Sequence, residues 1–307
     1  NLIKVSISQM KNLHLFSLNH KKRILKNQFF YSFEKDKFKK NIYKVIIICK
    51  GQIVFFENNT FFLDISEVPA FANTLKKFIF LGKNNKTIYL GLSISLKKVS
   101  DLTCSKNYNL VKIREVTGIL RQDIVAYLTS LYCLDQWHKN NQYCSKCSSK
   151  NIILDLGHSL ICRNKKCNKR IFPRINPTVI MLIYNKDKML LARNTNWPDK
   201  LYSCLAGFCE ISESLEETVK RETYEEVGVK VSNIKYLFSQ FWPFPNNLMV
   251  GFKAEASSVK LNIDKKEIQN AIWVTKHELI KLEKNKEILL PKKHAIAYSL
   301  IQNWLNN

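Results

Sequence analysis

Three glutamates, Glu222, Glu225 and Glu226, have the types and spacing to do chemistry. On a helix they stand at i, i+3 and i+4, so all three project from one side. Like charges held that way repel by about a few tenths of a kcal/mol per exposed pair. A cation between them reverses the sign, and hard carboxylate oxygens suit Mg2+ or Mn2+. The flanking residues fit the same purpose. Gly207 permits a tight turn before the helix, Arg221 can pair with Glu213 to hold the intervening loop, and Gly228 suits a helix end. Leu215, Val219 and Tyr224 are expected to seat the helix against a sheet. The whole chain has 8 glycines, and two of them bracket this one segment. An ordinary solvent-facing acidic helix would not account for that.

A second constellation is built from sulfur. Cys144 and Cys147 make a C-x2-C pair, and Cys162 and Cys167 make a C-x4-C pair further on. Two short cysteine turns can bring four thiolates to the corners of a tetrahedron around zinc, with no open position and hence a structural role. Two disulfides or a redox C-x-x-C are the other readings. Cys49, Cys133 and Cys204 sit inside apolar patterns, which favours free thiols and a reducing compartment. No thioredoxin-like βαβ pattern surrounds the C-x2-C pair.

The elements that must position these groups fall into a sequence of domains. Residues 29–110 read as a mainly β domain, with hairpins over 43–49/52–56 and 76–81/87–94. Residues 111–141 read as one long amphipathic linking helix, from Ile113, Val116, Leu120, Ile124, Leu128, Leu131 and Leu134. The cysteine module fills 142–173. The remainder, 174–307, alternates strands and helices: a hairpin over 178–184/189–193, a strand over 201–206, the glutamate helix over 214–227, strands over 234–239 and 248–254, and a last helix over 293–306. That order fits an α/β sandwich with a mixed sheet.

The segment from Gly207 to Val229 resembles the Nudix box, G-x5-E-x7-R-E-U-x-E-E-x-G-U, with U a bulky apolar residue. It matches at Gly207, Glu213, Arg221, Glu222, Glu225, Glu226, Gly228 and Val229, and departs at Thr223 in the first U position. The stretch S-Q-F-W-P-F-P-N-N from Ser239 to Asn247 resembles the S-Q-P-W-P-F-P-x-S signature of NADH pyrophosphatases. Phe241 replaces its first proline and Asn247 its final serine. A proline-stiffened loop of this kind would present aromatic rings at fixed positions for stacking. The cysteine spacing, Trp137 before it, the run from Phe172 to Pro177, and Ala295, Ile296 and Ala297 near the end extend the likeness over about residues 130–307.

The resemblance implies a Nudix α/β/α sandwich preceded by a zinc ribbon and the smaller β domain. It implies that Glu222, Glu225 and Glu226 bind divalent metal with the Ala206 carbonyl and Glu267. Phe172 and Phe208 would stack on the substrate base, while Gln240, Phe241, Trp242, Pro243, Phe244, Pro245, Asn246, Asn247 and Ala297 would line the dinucleotide site. The family usually has Tyr where Phe172 stands, and the residue matching Phe172 often serves the partner's site, which implies a homodimer. The implied reaction is NAD(H) plus water giving NMN(H) and AMP, with Glu226 as the base or its direct metal partner.

Composition frames the alternatives. The net charge of +24 comes from Lys and Arg numbering 49 against 25 acids, scattered through loops rather than set in a basic stripe. Such a field favours a polyanionic substrate, including RNA with a 5′ NAD cap. Cleavage of another nucleoside diphosphate derivative, a non-catalytic nucleotide-sensing module, and a zinc-ribbon nucleic-acid binder are the remaining readings. No apolar run is long enough for a membrane span. The first acid is Glu34, while Lys4, Lys11, Lys21, Lys22, Arg23 and Lys26 precede it. Residues 1–28 are therefore expected to be a transit segment, mitochondrial rather than cytoplasmic.

Overall fold

The computed structural model describes residues 42–57, 60–68, 78–102 and 107–307. The expected leader over 1–28, and residues 29–41 after it, lie outside the described residues. The chain divides into two compact units that meet in sequence at Arg174 and Ile175.

The first unit is a mixed sheet followed by a helix and a ribbon. Strands β1 (Ile42–Cys49) and β2 (Gln52–Phe56) form the first expected hairpin, turning through Lys50 and Gly51, both at positive φ. Two left-handed residues in a two-residue loop match the right-handed twist of the flanking strands. Short β3 (Leu63–Asp64) follows, then the hairpin of β4 (Phe78–Asn84) and β5 (Thr87–Ser93), helix α1 (Leu96–Leu102) and β6 (Tyr108–Val111). The hairpins join through parallel pairing of β1 with β5, giving the order β4-β5-β1-β2-β6.

The single helix expected over 111–141 is two pieces: α2 (Ile113–Val116) and α3 (Gln122–Asn140). The break runs over residues 117–121, from Thr117 through Gly118 to Arg121, which is extended. Glycine costs a helix interior about 1 kcal/mol, and the buried Thr117 hydroxyl bonds back to the Arg114 carbonyl. Helix α3 buries Val125, Leu128, Leu131 and Leu134, and Tyr127 stacks on Tyr89 of β5 with ring centroids 4.1 Å apart.

The cysteine module is a three-stranded ribbon of β7 (Asn151–Leu154), β8 (Ser159–Cys162) and β9 (Arg170–Ile171). Its two turns are built alike. Ser148 and Asn168 each take a positive φ just after the second cysteine of a pair, and the Cys144 and Cys162 amides bond the Ser149 and Lys169 carbonyls. The four sulfur atoms lie within 4.8 Å of one another. The Cys144–Cys167 pair is 3.8 Å apart and the Cys147–Cys162 pair 3.4 Å. A tetrahedron with zinc–sulfur arms of about 2.3 Å has edges of about 3.8 Å, whereas a disulfide needs about 2.05 Å. The cluster therefore fits structural zinc, and all four cysteines are free of disulfides. Within this unit, His158 bonds the Phe80 carbonyl at 2.7 Å and His138 the Gly157 carbonyl at 2.7 Å, tying ribbon to sheet and helix.

The second unit is an α/β/α sandwich. Its sheet runs β13-β14-β10-β11-β15, with β12 paired to β10. The strands are β10 (Asn176–Asn185), β11 (Lys188–Asn194), β12 (Leu205–Phe208), β13 (Val231–Trp242), β14 (Asn247–Ala256) and β15 (Ile268–Thr275). Successive β10 residues feed opposite cores: Val179, Met181 and Ile183 join the layer under α4 (Leu215–Val227), while Ile180 and Leu182 join the other. A strand covered on both faces must read as a continuous apolar run, and this one does. The second layer is closed by α5 (Lys276–Lys284) and α6 (Ile296–Asn306), through Leu279, Leu300, Ile301 and Trp304.

Several local expectations are corrected. Strand β15 and helix α5 were not anticipated, although the Thr275–Glu278 capping box is legible in the sequence. The strand expected over 201–206 is bridged only at Leu201 and Ser203 before β12 begins at Leu205. Tyr224 does not seat the glutamate helix, being 55% exposed, because that work falls to Val219 and Val227. The last helix begins at Ile296, not at 293.

Removing the metal of the ribbon should loosen it selectively. The purified chain is expected to carry about one zinc, and Cys162→Ser should release it and speed hydrogen exchange across 142–171. A chain purified without zinc, with that stretch still protected, would contradict the assignment.

Candidate functional site

Helix α4 is fixed at both ends. Ser214 caps its start, accepting from the Glu217 amide at 3.2 Å, while the Glu217 carboxylate accepts from the Ser214 amide at 2.7 Å. Gly228 ends it at φ 70°, its amide donating to the Tyr224 carbonyl. That left-handed turn favours glycine, and a Cβ there would meet Asn262 at 2.7 Å. Thr223, the departure from the box, is buried and donates its hydroxyl to the Val219 carbonyl at 2.7 Å, so the helix absorbs it without a new partner.

Arg221 is the hub. Its guanidinium grips Glu213 through two bonds of 2.5 and 2.9 Å, donates to the Phe208 carbonyl at 2.9 Å, and reaches Glu222 and Glu225, each at 2.9 Å. This fork holds the loop from β12 to α4 and keeps the Glu213 carboxyl down at about 2. Gly207 belongs to the same lock. A Cβ on it would stand 1.8 Å from the Glu222 carboxyl carbon, so only glycine leaves room for that side chain over β12.

Glu226 is set apart from its neighbours. It is 6% exposed, and its Oε2 has no hydrogen-bond partner. Burial, reinforced by the charges of Glu222, Glu267 and Glu225, pushes its carboxyl up to about 8. Burial also raises Glu222, partly offset by Arg221. Glu267, exposed just before β15, adds its field to both. Among the described residues, the only group of three or more ligating side chains gathered within 4.8 Å is the four-cysteine set. The glutamates are not gathered in that way, since Arg221 draws Glu222 and Glu225 to itself.

Beside the Ala206 edge of β12 lies a cavity of about 220 Å3. Ala206, Trp242 and Ala297, all expected at the site, line it together. Trp197, Cys204 and Met249 also line it and were not anticipated. Of these, only Trp197, a tryptophan in the turn after β11, gave a usable sequence signal. The expected loop over 240–247 is a hairpin turn instead. Gln240, Phe241 and Trp242 end β13 and Asn247 begins β14, because those residues pair across the strands. Gln240 is buried, and its amide joins the His294 carbonyl to the Ile296 amide, pinning the start of α6. Trp242 stacks on His294, with ring centroids 6.3 Å apart, and meets Phe244 edge-on. Asn247 is buried and accepts from Asn176 at 3.4 Å. Pro243, Phe244, Pro245 and Asn246 make the turn itself. Phe208 is 54% exposed at the end of β12. Phe172 belongs to the first unit, where it is exposed and Arg170 lies over its ring.

A mixed sheet between helices, with a glycine-preceded, arginine-clamped glutamate helix on one face, defines a Nudix domain. The sequence model of the NUDIX domain matches residues 174–294, so that stretch of the chain is a NUDIX domain. It is 40% identical over 166 residues to "Nudix hydrolase 19, chloroplastic" of Arabidopsis thaliana, covering 52% of this chain and 38% of that protein. It is 36% identical over 180 residues to the human "NAD-capped RNA hydrolase NUDT12", covering 55% and 39%. It is 35% identical over 223 residues to the mouse "NAD(P)H pyrophosphatase NUDT13, mitochondrial", covering 67% and 62%. The chain therefore spans less than two thirds of the length of each of these relatives.

Two outcomes follow from the geometry. Gly207→Ala should displace Glu222 and destabilise the domain by roughly 1–3 kcal/mol, read by denaturant unfolding. Unchanged stability would contradict the contact. Without divalent metal, folded Glu226 holds its proton to about pH 8, against 4.5 as its ordinary value. The folded state thus binds more protons across that window, and the stability tied to the neutral acid is lost as pH rises through it. The melting-temperature advantage of Glu226→Gln over wild type should therefore grow from about pH 5 to about pH 9. A pH-independent difference would contradict the raised value.

Proposed function

We propose that this protein hydrolyses the diphosphate bond of NAD(H), giving NMN(H) and AMP, in a reaction that depends on Mg2+ or Mn2+. The observation that carries the reading is Glu226, a buried carboxylate with an unpartnered oxygen and three other carboxylates around it. The all-oxygen donor set of Glu222, Glu225, Glu226, Glu267 and the Ala206 carbonyl suits a hard divalent cation. Holding one would require Arg221 to release Glu222 and Glu225, keeping its grip on Glu213 and Phe208. Bound there, the cation would polarise the diphosphate and lower the pKa of water.

The chain's own residues do the rest. Water adds to one phosphorus as the bridging P–O bond breaks, and the water's proton passes to the Glu226 carboxylate, which cation binding would leave ionised. The cavity beside Ala206 takes one end of the dinucleotide, with Trp242, Trp197 and Ala297 as its apolar walls. Phe208 stacks on the base, and the 243–246 turn with Phe241 and Asn247 borders it. Gln240 acts by holding the wall in place. The descriptions of the human and mouse relatives support a nicotinamide dinucleotide as substrate.

NAD-capped RNA is a second substrate reading, favoured by the net charge of +24 and by the human relative's description. Service of Phe172 to a partner's site would make the enzyme a homodimer. The organellar names of two relatives support an organelle, mitochondrial by preference.

Turnover is measured with NADH, NAD, ADP-ribose, dinucleoside polyphosphates and NAD-capped RNA, with Mg2+ or Mn2+. NADH or NAD should lead the small molecules, and Glu226→Gln should lower kcat by about 10²–10⁴ without lowering the melting temperature. Decapping should fall steeply with salt, and cleavage of free NADH should not. No turnover of any of these by wild type, or equal turnover by the Glu226 variant, would sink the enzyme reading.

A further inference from the structure

The second unit has another cavity, lined by none of the residues assigned above. It encloses about 490 Å3 at the end of the sheet where β10 turns into β11. Buried Leu182 and Trp304 line its depth. Tyr184 and Lys253 stand on the neighbouring strands β10 and β14. Lys186 and Asp187 come from the β10–β11 turn, and Lys276 is the first residue of α5.

Its chemistry is cationic and aromatic together. The Lys253 ammonium lies 4.4 Å from the Tyr184 ring centroid, and the Lys276 ammonium 6.0 Å from that of Trp304. Both lysines are half-buried, and among the described residues neither has a carboxylate within ion-pair distance. The acids nearby are engaged elsewhere: Glu255 accepts from Asn233 at 2.6 Å, and Glu278 is tied to Thr275 in the cap of α5. Asp187, exposed, lines the cavity together with Lys186, Lys253 and Lys276. Asn303, which also lines the cavity, is 4% exposed and its Nδ2 has no hydrogen-bond partner.

Two half-buried ammonium groups held beside rings, with no carboxylate at ion-pair distance among the described residues, can both donate to one anion. A phosphate dianion supplies that charge, and a flat ring with polar edges suits tyrosine, tryptophan and a buried amide. The volume falls within the ~300–1,000 Å3 of small-ligand sites. Asp187 and His277 also line the cavity, both exposed, and no reaction is assigned to them. We propose that this cavity binds a nucleoside monophosphate, at a site separate from the carboxylate helix. The proposal is independent of the diphosphatase reading, because it concerns binding alone.

The test uses the full chain with no added divalent cation and follows the Trp304 indole by NMR, assigned with Trp304→Phe. AMP, inorganic phosphate and adenosine are titrated in turn. AMP should move the Trp304 signal saturably and more tightly than either fragment. Lys253→Met with Lys276→Met, which keeps the aliphatic stems over the rings, should weaken AMP about tenfold or more at this signal. The same double variant should keep the wild-type melting temperature and metal-dependent turnover. A Trp304 signal unmoved by millimolar AMP, or moved equally in the double variant, overturns the proposal. AMP binding no tighter than phosphate overturns its nucleoside part.

Discussion

A carboxylate buried where its charge is unwelcome sets the terms for the catalytic half of this molecule. Glu226 projects from α4 with one oxygen unpartnered, in the field of Glu222, Glu225 and Glu267. Folding alone can hold such a group only by keeping it protonated or by bringing a cation to it. Much of the local sequence is explained by keeping that helix still under the strain. Ser214 and Gly228 fix its ends, Val219 and Val227 anchor its apolar side, and Arg221 ties it to the loop through Glu213 and Phe208. Gly207 then leaves the space into which Glu222 projects.

The two faces of the sheet divide the labour. On the α4 side the polar lock dominates, with Arg221 satisfying three carboxylates and a carbonyl at once. On the other side apolar packing dominates, and α6 brings Ala297 to one cavity and Trp304 to another. Gln240 links the halves of this second layer by bonding both sides of the α6 start. The zinc-fitting ribbon achieves in the first unit what a core would otherwise supply. Its residues 151–154 are too exposed to close a core of their own, so four thiolates and the His138 and His158 bonds do that work.

Most of the site was legible in the sequence because its logic is local. The spacing of Glu222, Glu225 and Glu226, the Arg221–Glu213 pair and the cysteine knuckles each lie within a couple of dozen residues, and fixed periodicity carries them. What was hidden depends on distant chain. Tyr224 has the look of a core residue and faces outward, because which helix face meets the sheet is decided by β10 and β12. The 240–247 stretch reads as a loop from its prolines, yet pairing of Trp242 with Asn247 draws both ends into strands. The helix over 111–141 had one apolar period throughout, and a non-helical stretch over 117–121, which holds Thr117 and Gly118, divided it. Cys204 and Met249 gave no sign of sharing a cavity with Trp242, since three separate segments meet there.

Proton release on cation binding tests the central claim most directly. Mn2+ is titrated calorimetrically at about pH 7 in buffers of different ionisation enthalpy, which reports the protons displaced per ion bound. Because Glu226 is protonated there in the metal-free protein, binding should release close to one proton, falling towards none by about pH 9. Glu226→Gln should abolish the release and weaken the binding. Tight Mn2+ binding with no proton release at neutral pH, unchanged in Glu226→Gln, would contradict a cation site built on that buried carboxylate.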